Sequence, residues 1–151
     1  MRLPVLAPSF LVLALIGLAA CSNANDTSPV EAPAPAPPAL LAGIDLNQPV
    51  RAIGTEPFWG VEISPETLAY TAIDHPGVTA TNPGPTIQGT TAVYAAAGAD
   101  GTALVVTLIA TECSDGMSDR IYPLTARVEL GSQTLNGCAA SVAFLESQPA
   151  P

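Results

Sequence analysis

The chain has 151 residues, with four basic residues, all arginine, against thirteen acidic ones, a formal charge of −9 at pH 7. That length allows one domain, and the acidic balance excludes a surface built to grip phosphate backbones or anionic lipid headgroups. Three cysteines and a single histidine leave little material for a metal centre.

Taken in chain order, the sequence opens on MRLPVLAPSFLVLALIGLAAC, with an apolar run from Phe10 to Ala20. The run is too short to span a bilayer comfortably and has the length of a signal-peptide core. Leu18, Ala19, Ala20 and Cys21 resemble the bacterial lipobox, in which small residues let the lipoprotein signal peptidase cut just before a lipidated cysteine. Residues 1–20 are therefore read as a lipoprotein signal peptide and Cys21 as the acylated, palmitate-bearing end of the mature chain. Acyl chains contribute about 0.8 kcal/mol per buried CH₂, so several of them make anchoring effectively permanent. Ser22 stands where an aspartate would resemble an inner-membrane retention signal, which favours the outer membrane, facing the periplasm. Cleavage removes Arg2 and leaves Arg51, Arg120 and Arg127 against thirteen acidic residues, a formal charge of −10.

Residues 21–45 read as a linker, polar at first and then a Pro/Ala tract over 29–39 that cannot build a core. Proline holds such a stretch extended, at about 3.1 Å per residue, so the linker from Ser22 to Ile44 reaches on the order of 70 Å at full stretch.

Residues 46–148 read as an all-β domain, a small antiparallel meander of about 7–8 strands closed as a barrel or sandwich. Strands are expected over 50–54, 58–63, 67–73, 90–97, 103–111, 124–130, 133–135 and 140–145. The clearest are ALVVTLIAT, with Leu104, Val106, Leu108 and Ala110 on one face, and LTARVEL, with Leu124, Ala126, Val128 and Leu130 inward. Between them fall the turn signals SPE at 64, DHPG at 74, NPGP at 82, ADG at 99 and GS at 131. A helix of any length is hard to place, since the Ala-rich AVYAAAGADG is interrupted by Gly98 and Gly101 and reads as strand then turn.

Two stretches concentrate chemistry. In GTEPFWG, Pro57 drives Glu56 toward extended backbone and predicts a bulged edge at the strand entry. Phe58 and Trp59 then face opposite ways, one into the core, while the outward aromatic and Glu56 are candidates for a binding surface. In TECSDGMSDRIYPL, Glu112, Asp115 and Asp119 lie within eight residues, yet the spacing does not fit a calcium loop and no metal is expected. A pair of loop carboxylates could serve a hydrolase, and Ser114 or Ser118 with His75 a triad, but neither serine sits in a nucleophile elbow and His75 lies in a turn sequence. Ser114-Asp115-Gly116 has the composition of a tight turn with glycine at positive φ, and Asp119 could pair with Arg120 or hold Arg51 or Arg127. With Cys21 taken, Cys113 and Cys138 remain as a pair in an oxidising compartment, and a disulfide is expected.

RAIGTEPFWGVEI at 51–63 and CSDGMSDRIYPLTARVEL at 113–130, followed by LNGCA at 135–139, resemble the paired motifs of a group of uncharacterised bacterial envelope lipoproteins or predicted membrane proteins. The resemblance covers nearly the whole domain, with Thr55 where asparagine is commoner. It implies a small exported or lipid-anchored β domain with a disulfide, and no particular activity.

The expected function is that of a lipid-anchored cell-envelope protein, not an enzyme, acting as a binding or inhibitor-like module through Glu56, Trp59, Asp115, Asp119 and Arg120. No cofactor is expected. The expected partners are the membrane, through the anchor, and a basic envelope protein or small ligand, with no nucleic acid. The alternatives are a structural or stress-related envelope lipoprotein and, more remotely, a hydrolase using the loop carboxylates.

Overall fold

A computed structural model describes residues 38–148. Cys21, the signal peptide over 1–20 and most of the linker lie outside the described residues.

The domain is all-β. Two short strands, β1 (Leu40–Leu41) and β2 (Ile44–Asp45), form a hairpin, and nine further strands form one antiparallel sheet. In chain order these are β3 (Val50–Thr55), β4 (Phe58–Ile63), β5 (Thr67–Ala72), β6 (His75–Thr81), β7 (Thr86–Gln88), β8 (Thr91–Ala97), β9 (Ala103–Ile109), then β12 (Leu124–Leu130) and β13 (Gln133–Ser141). Between β9 and β12 the chain makes a small separate hairpin, β10 (Cys113–Ser114) with β11 (Ile121–Tyr122). One helix, α1 (Val142–Ser147), follows β13, and the Ser141 hydroxyl caps it by accepting from the Phe144 N–H.

The order across the sheet is β6-β5-β4-β3-β13-β12-β9-β8-β7, a meander whose first and last long strands, β3 and β13, pair at its middle. Its outermost strands, β6 and β7, are consecutive in the chain and joined only by residues 82–85. A flat sheet would part the two edges by nearly 40 Å at about 4.8 Å per strand, whereas the link reaches roughly 17 Å at most. The sheet must therefore curl until its edges meet, and β6 returns to lie beside β8. Gly98, just past β8, leaves room for this approach: a Cβ there would sit 2.7 Å from Val78 Cγ1 of β6.

The curled sheet encloses one apolar core. Alternate residues point inward, among them Val50, Val61, Ile63, Leu68, Leu104, Val106, Leu108, Leu124 and Val128, as the period-two pattern requires. The cluster mixes small residues, Ala52, Ala92, Ala126 and Ala139, with the large Trp59, Tyr70 and Tyr94, a mixture suited to filling a narrow barrel. Burial pushes the Tyr94 phenol up to about 12, and its hydroxyl has no hydrogen-bond partner among the described residues.

The structure amends several expectations. Residues 40–45, read as the end of the linker, form the β1–β2 hairpin, and Leu41 is buried in the main core beside Leu46. The strand expected over 140–145 is the last part of β13 followed by α1. DHPG, read as a turn, instead runs into a full strand, β6, which begins at His75 and whose register slips beside Tyr70 and Ala72. Pro57 does not mark a bulged edge: Glu56 and Pro57, joined by a cis bond, are the turn of a hairpin in which Thr55 pairs directly with Phe58, and β3 and β4 are central strands.

Candidate functional site

The polar run from Cys113 to Arg120 mixes exposed residues, Ser114, Gly116, Met117 and Asp119, with half-buried ones. It folds back over the outer face of β13 and β3, where Tyr122, Cys138 and Ala140 form a second buried cluster joined by Ile53, Cys113, Phe144 and Leu145. This cluster explains why Cys138 and Ala140 are buried although they point away from the main core. The Cys113–Cys138 disulfide ties the run to that wall across 25 positions, with Cα atoms 5.5 Å apart. A loop this polar has little apolar area of its own to hold it down, so the covalent tie and Tyr122 do so.

Asp115 organises the turn. Its Oδ1 accepts from the Met117 N–H at 3.0 Å and the Ser118 N–H at 2.8 Å, and its Oδ2 accepts from the Ser118 hydroxyl at 2.9 Å and the Tyr122 hydroxyl at 3.1 Å. A carboxylate offers about four acceptor sites, and these four donors fill them. The Ser118 N–H has the largest effect, and with the Met117 N–H and the two hydroxyls it holds the carboxyl down to about 2, against the opposing pull of partial burial. Gly116 takes the left-handed conformation at φ +71°, and the Ser114 and Ser118 hydroxyls accept from the N–H two residues on. Tyr122, which is buried, has its own pKa raised, chiefly by burial.

The turn meets the first motif. The Thr55 hydroxyl donates to the Asp115 carbonyl oxygen at 3.1 Å, joining positions 60 apart in the chain. Between the two lies a groove of about 490 Å³, lined by Thr55 and Glu56 on one side and by Ser114, Asp115 and Met117 on the other, with the disulfide in its wall.

The remaining candidates separate. Trp59 is 5 % exposed and belongs to the core, so it is not the outward aromatic of the pair; Phe58, 51 % exposed, takes that place. The inward choice follows from two glycines. The Trp59 indole lies where a Cβ on Gly54 would overlap its ring and where one on Gly137 would come within 2.9 Å of Cζ2. Glu56 and Asp119 are exposed. Arg51 pairs with Glu62, its cross-strand neighbour, and Arg127 with Glu129 at 2.7 Å, so neither is held by Asp119. Arg120 lies with its guanidinium carbon 6.0 Å from the Tyr122 ring centre and, with Arg51, lines a different groove beside α1. His75 accepts from the Gly77 N–H and sets its ring edge-on to Tyr70; it is not among the residues lining the groove at Asp115. Among the described residues no group of three His, Cys, Asp or Glu is placed to hold a metal, and no helix is long and apolar enough to cross a membrane.

Sequence reasoning missed Met117 and Phe58 as the exposed apolar residues of this region. The signal was present in both cases, an apolar side chain inside a polar turn and one of a pair that must face out. Comparison with protein families, curated proteins and solved structures found no match to this chain.

Proposed function

We propose that the protein is a lipid-anchored component of the bacterial cell envelope, tethered through Cys21 and a Pro/Ala linker to the outer membrane, whose β domain is a non-catalytic binding module. The lipobox-like LAAC and the resemblance of the two motifs to envelope lipoproteins support the anchor and its location.

The observation that carries the binding role is the groove where the two motifs meet, walled by Glu56 on one side and Asp115 and Met117 on the other. Its central carboxylate is spent on the turn. With four donors bound and a lowered pKa, Asp115 has neither a free lone pair nor the raised pKa that an acid or base needs. The groove is thus an acidic, partly apolar recess whose Asp115 carboxylate is committed to the turn, a setting suited to recognition.

The anchor is tested by Cys21→Ser, which should abolish palmitate labelling and move the protein from the membrane to the soluble fraction. A photo-crosslinking residue at Met117 tests the binding module in cells: it should trap a partner that the same residue at Gln88, exposed on β7, does not. Loss of function on deleting 28–40, with none on altering the groove and no crosslink at Met117, would favour the spacer role over this one.

A further inference from the structure

Two grooves flank the Glu56–Pro57 turn and share Ile53, Gly54 and Thr55 as a common wall. The first lies under the Ser114–Met117 turn. The second, of about 450 Å³, runs between Phe58, Trp59, Thr71 and Ile73. Around their mouths stand Phe58, 51 % exposed, Met117, 68 %, and Ile73, 79 %. Single exposed apolar residues are ordinary, but Phe58 and Ile73 line one groove and Met117 the groove that shares its wall, a grouping of the kind that marks an interaction site.

The charge around this patch has one sign. The charged residues lining the two grooves are Glu56 and Asp115, with no arginine, lysine or histidine among the lining residues, and Asp74 follows Ile73 in the chain. The arginines line neither groove: Arg51, paired with Glu62, and Arg120 line the groove beside α1, which shares Ile53 with both, and Arg127 pairs with Glu129. An apolar groove with the Glu56 carboxylate on the groove next to it complements an apolar side chain with a cation beside it.

We propose that the paired grooves bind a segment of a partner protein that presents an aromatic or large aliphatic side chain flanked by lysine or arginine. The apolar side chain sits between Phe58 and Ile73, and a flanking cation pairs with Glu56. This rests on reading the domain as a binding module and adds the chemistry of its partner. An acidic body also steers such a partner toward encounter and makes association salt-dependent.

The full chain, reconstituted in phosphatidylcholine nanodiscs, carries its one tryptophan on the wall of the apolar groove, so Trp59 emission reports occupancy. It is titrated with three capped peptides: Lys-Phe-Lys, Lys-Ala-Lys and Glu-Phe-Glu. Lys-Phe-Lys should bind roughly tenfold more tightly than either of the others, and Phe58→Ser should remove that advantage. Glu56→Gln should weaken it roughly threefold and flatten its dependence on salt. Both side chains are exposed, so both variants should keep the wild-type circular dichroism. Equal affinity for the three peptides, or indifference to Phe58→Ser, overturns the proposal. Self-association lost in Phe58→Ser would assign the patch to a second copy, and Phe58-dependent binding of the Cys21→Ser form to phosphatidylcholine vesicles would assign it to lipid; either result overturns it too. A Met117 crosslink to a partner segment without lysine or arginine refutes this chemistry while leaving the binding module standing. No crosslink at Met117 removes both.

Discussion

Replacing Asp115 by alanine withdraws an acceptor from four donors at once. Two of those donors are backbone N–H groups near the surface, which water can satisfy. The Tyr122 hydroxyl belongs to a residue only 2 % exposed, so its loss is harder to repair. Hydrogen bonds to a charged group contribute about 1.5–3 kcal/mol each when sheltered and much less when water competes. The sum expected for Asp115→Ala is about 2–3 kcal/mol, read as a lowered urea midpoint with unchanged slope and the disulfide intact. Asp115→Asn should fall between, because the amide oxygen still serves the two N–H groups while its NH₂ can donate to the two hydroxyls.

The acid limb provides a second reading of the same bonds. The folded carboxyl is held from 3.8 down to about 2, so its contribution is present above the unfolded value and is lost as pH falls from about 4 through about 2. The shift corresponds to about 2.5 kcal/mol before screening, and on the order of 1 kcal/mol once solvent around a partly exposed turn is allowed for. Wild type should lose that increment between pH 4 and 2, and Asp115→Ala should not. If Asp115→Ala unfolds within about 0.5 kcal/mol of wild type, the range of an ordinary surface substitution, the carboxylate does not hold the turn and is free for another use.

Gly137→Ala should destabilise by at least about 2 kcal/mol, because the added methyl overlaps the Ile53 carbonyl of the paired strand and crowds the indole; thermal melts would show it, and a wild-type melting temperature would contradict the packing described. Replacing both Cys113 and Cys138 by alanine opens a loop closed across 25 positions and should cost about 3.5 kcal/mol in the chain-entropy model, measured by urea denaturation against the oxidised parent. Tyr94→Phe should leave stability unchanged or raise it by about 1 kcal/mol, since it removes a buried hydroxyl that has no partner among the described residues; a loss above about 1 kcal/mol in the same denaturation assay would show that the hydroxyl is satisfied.

Much of the domain was legible one segment at a time. The alternation in 104–110 and 124–130 named the inward faces correctly, because a strand's side chains alternate whatever it packs against. The turn at Ser114-Asp115-Gly116 was readable for a similar reason: its hydrogen bonds close within a few residues. The helix over 142–147 was not, since six residues, four of them apolar, carry no decisive period, and the Ser141 cap that starts it is an equally good strand residue by composition. β6 was hidden by His75, Pro76 and Gly77, which read as a turn and instead open a strand.

The sequence by itself determined what depends on near neighbours: the all-β alternation, the turn chemistry, and the requirement that Phe58 and Trp59 face opposite ways. Which of the two faces inward was decided only by tertiary structure, because the space for the indole is left by Gly54 in the adjoining strand and by Gly137, far along the chain. The same holds for the meeting of the two motifs. Thr55 and Asp115 share a groove because a four-residue link forces the sheet to curl, β13 pairs with β3, and a disulfide draws the polar run across the wall those strands form. Each of those contacts joins residues whose separation in the chain carries no local signal, so they become visible only once the sheet is closed.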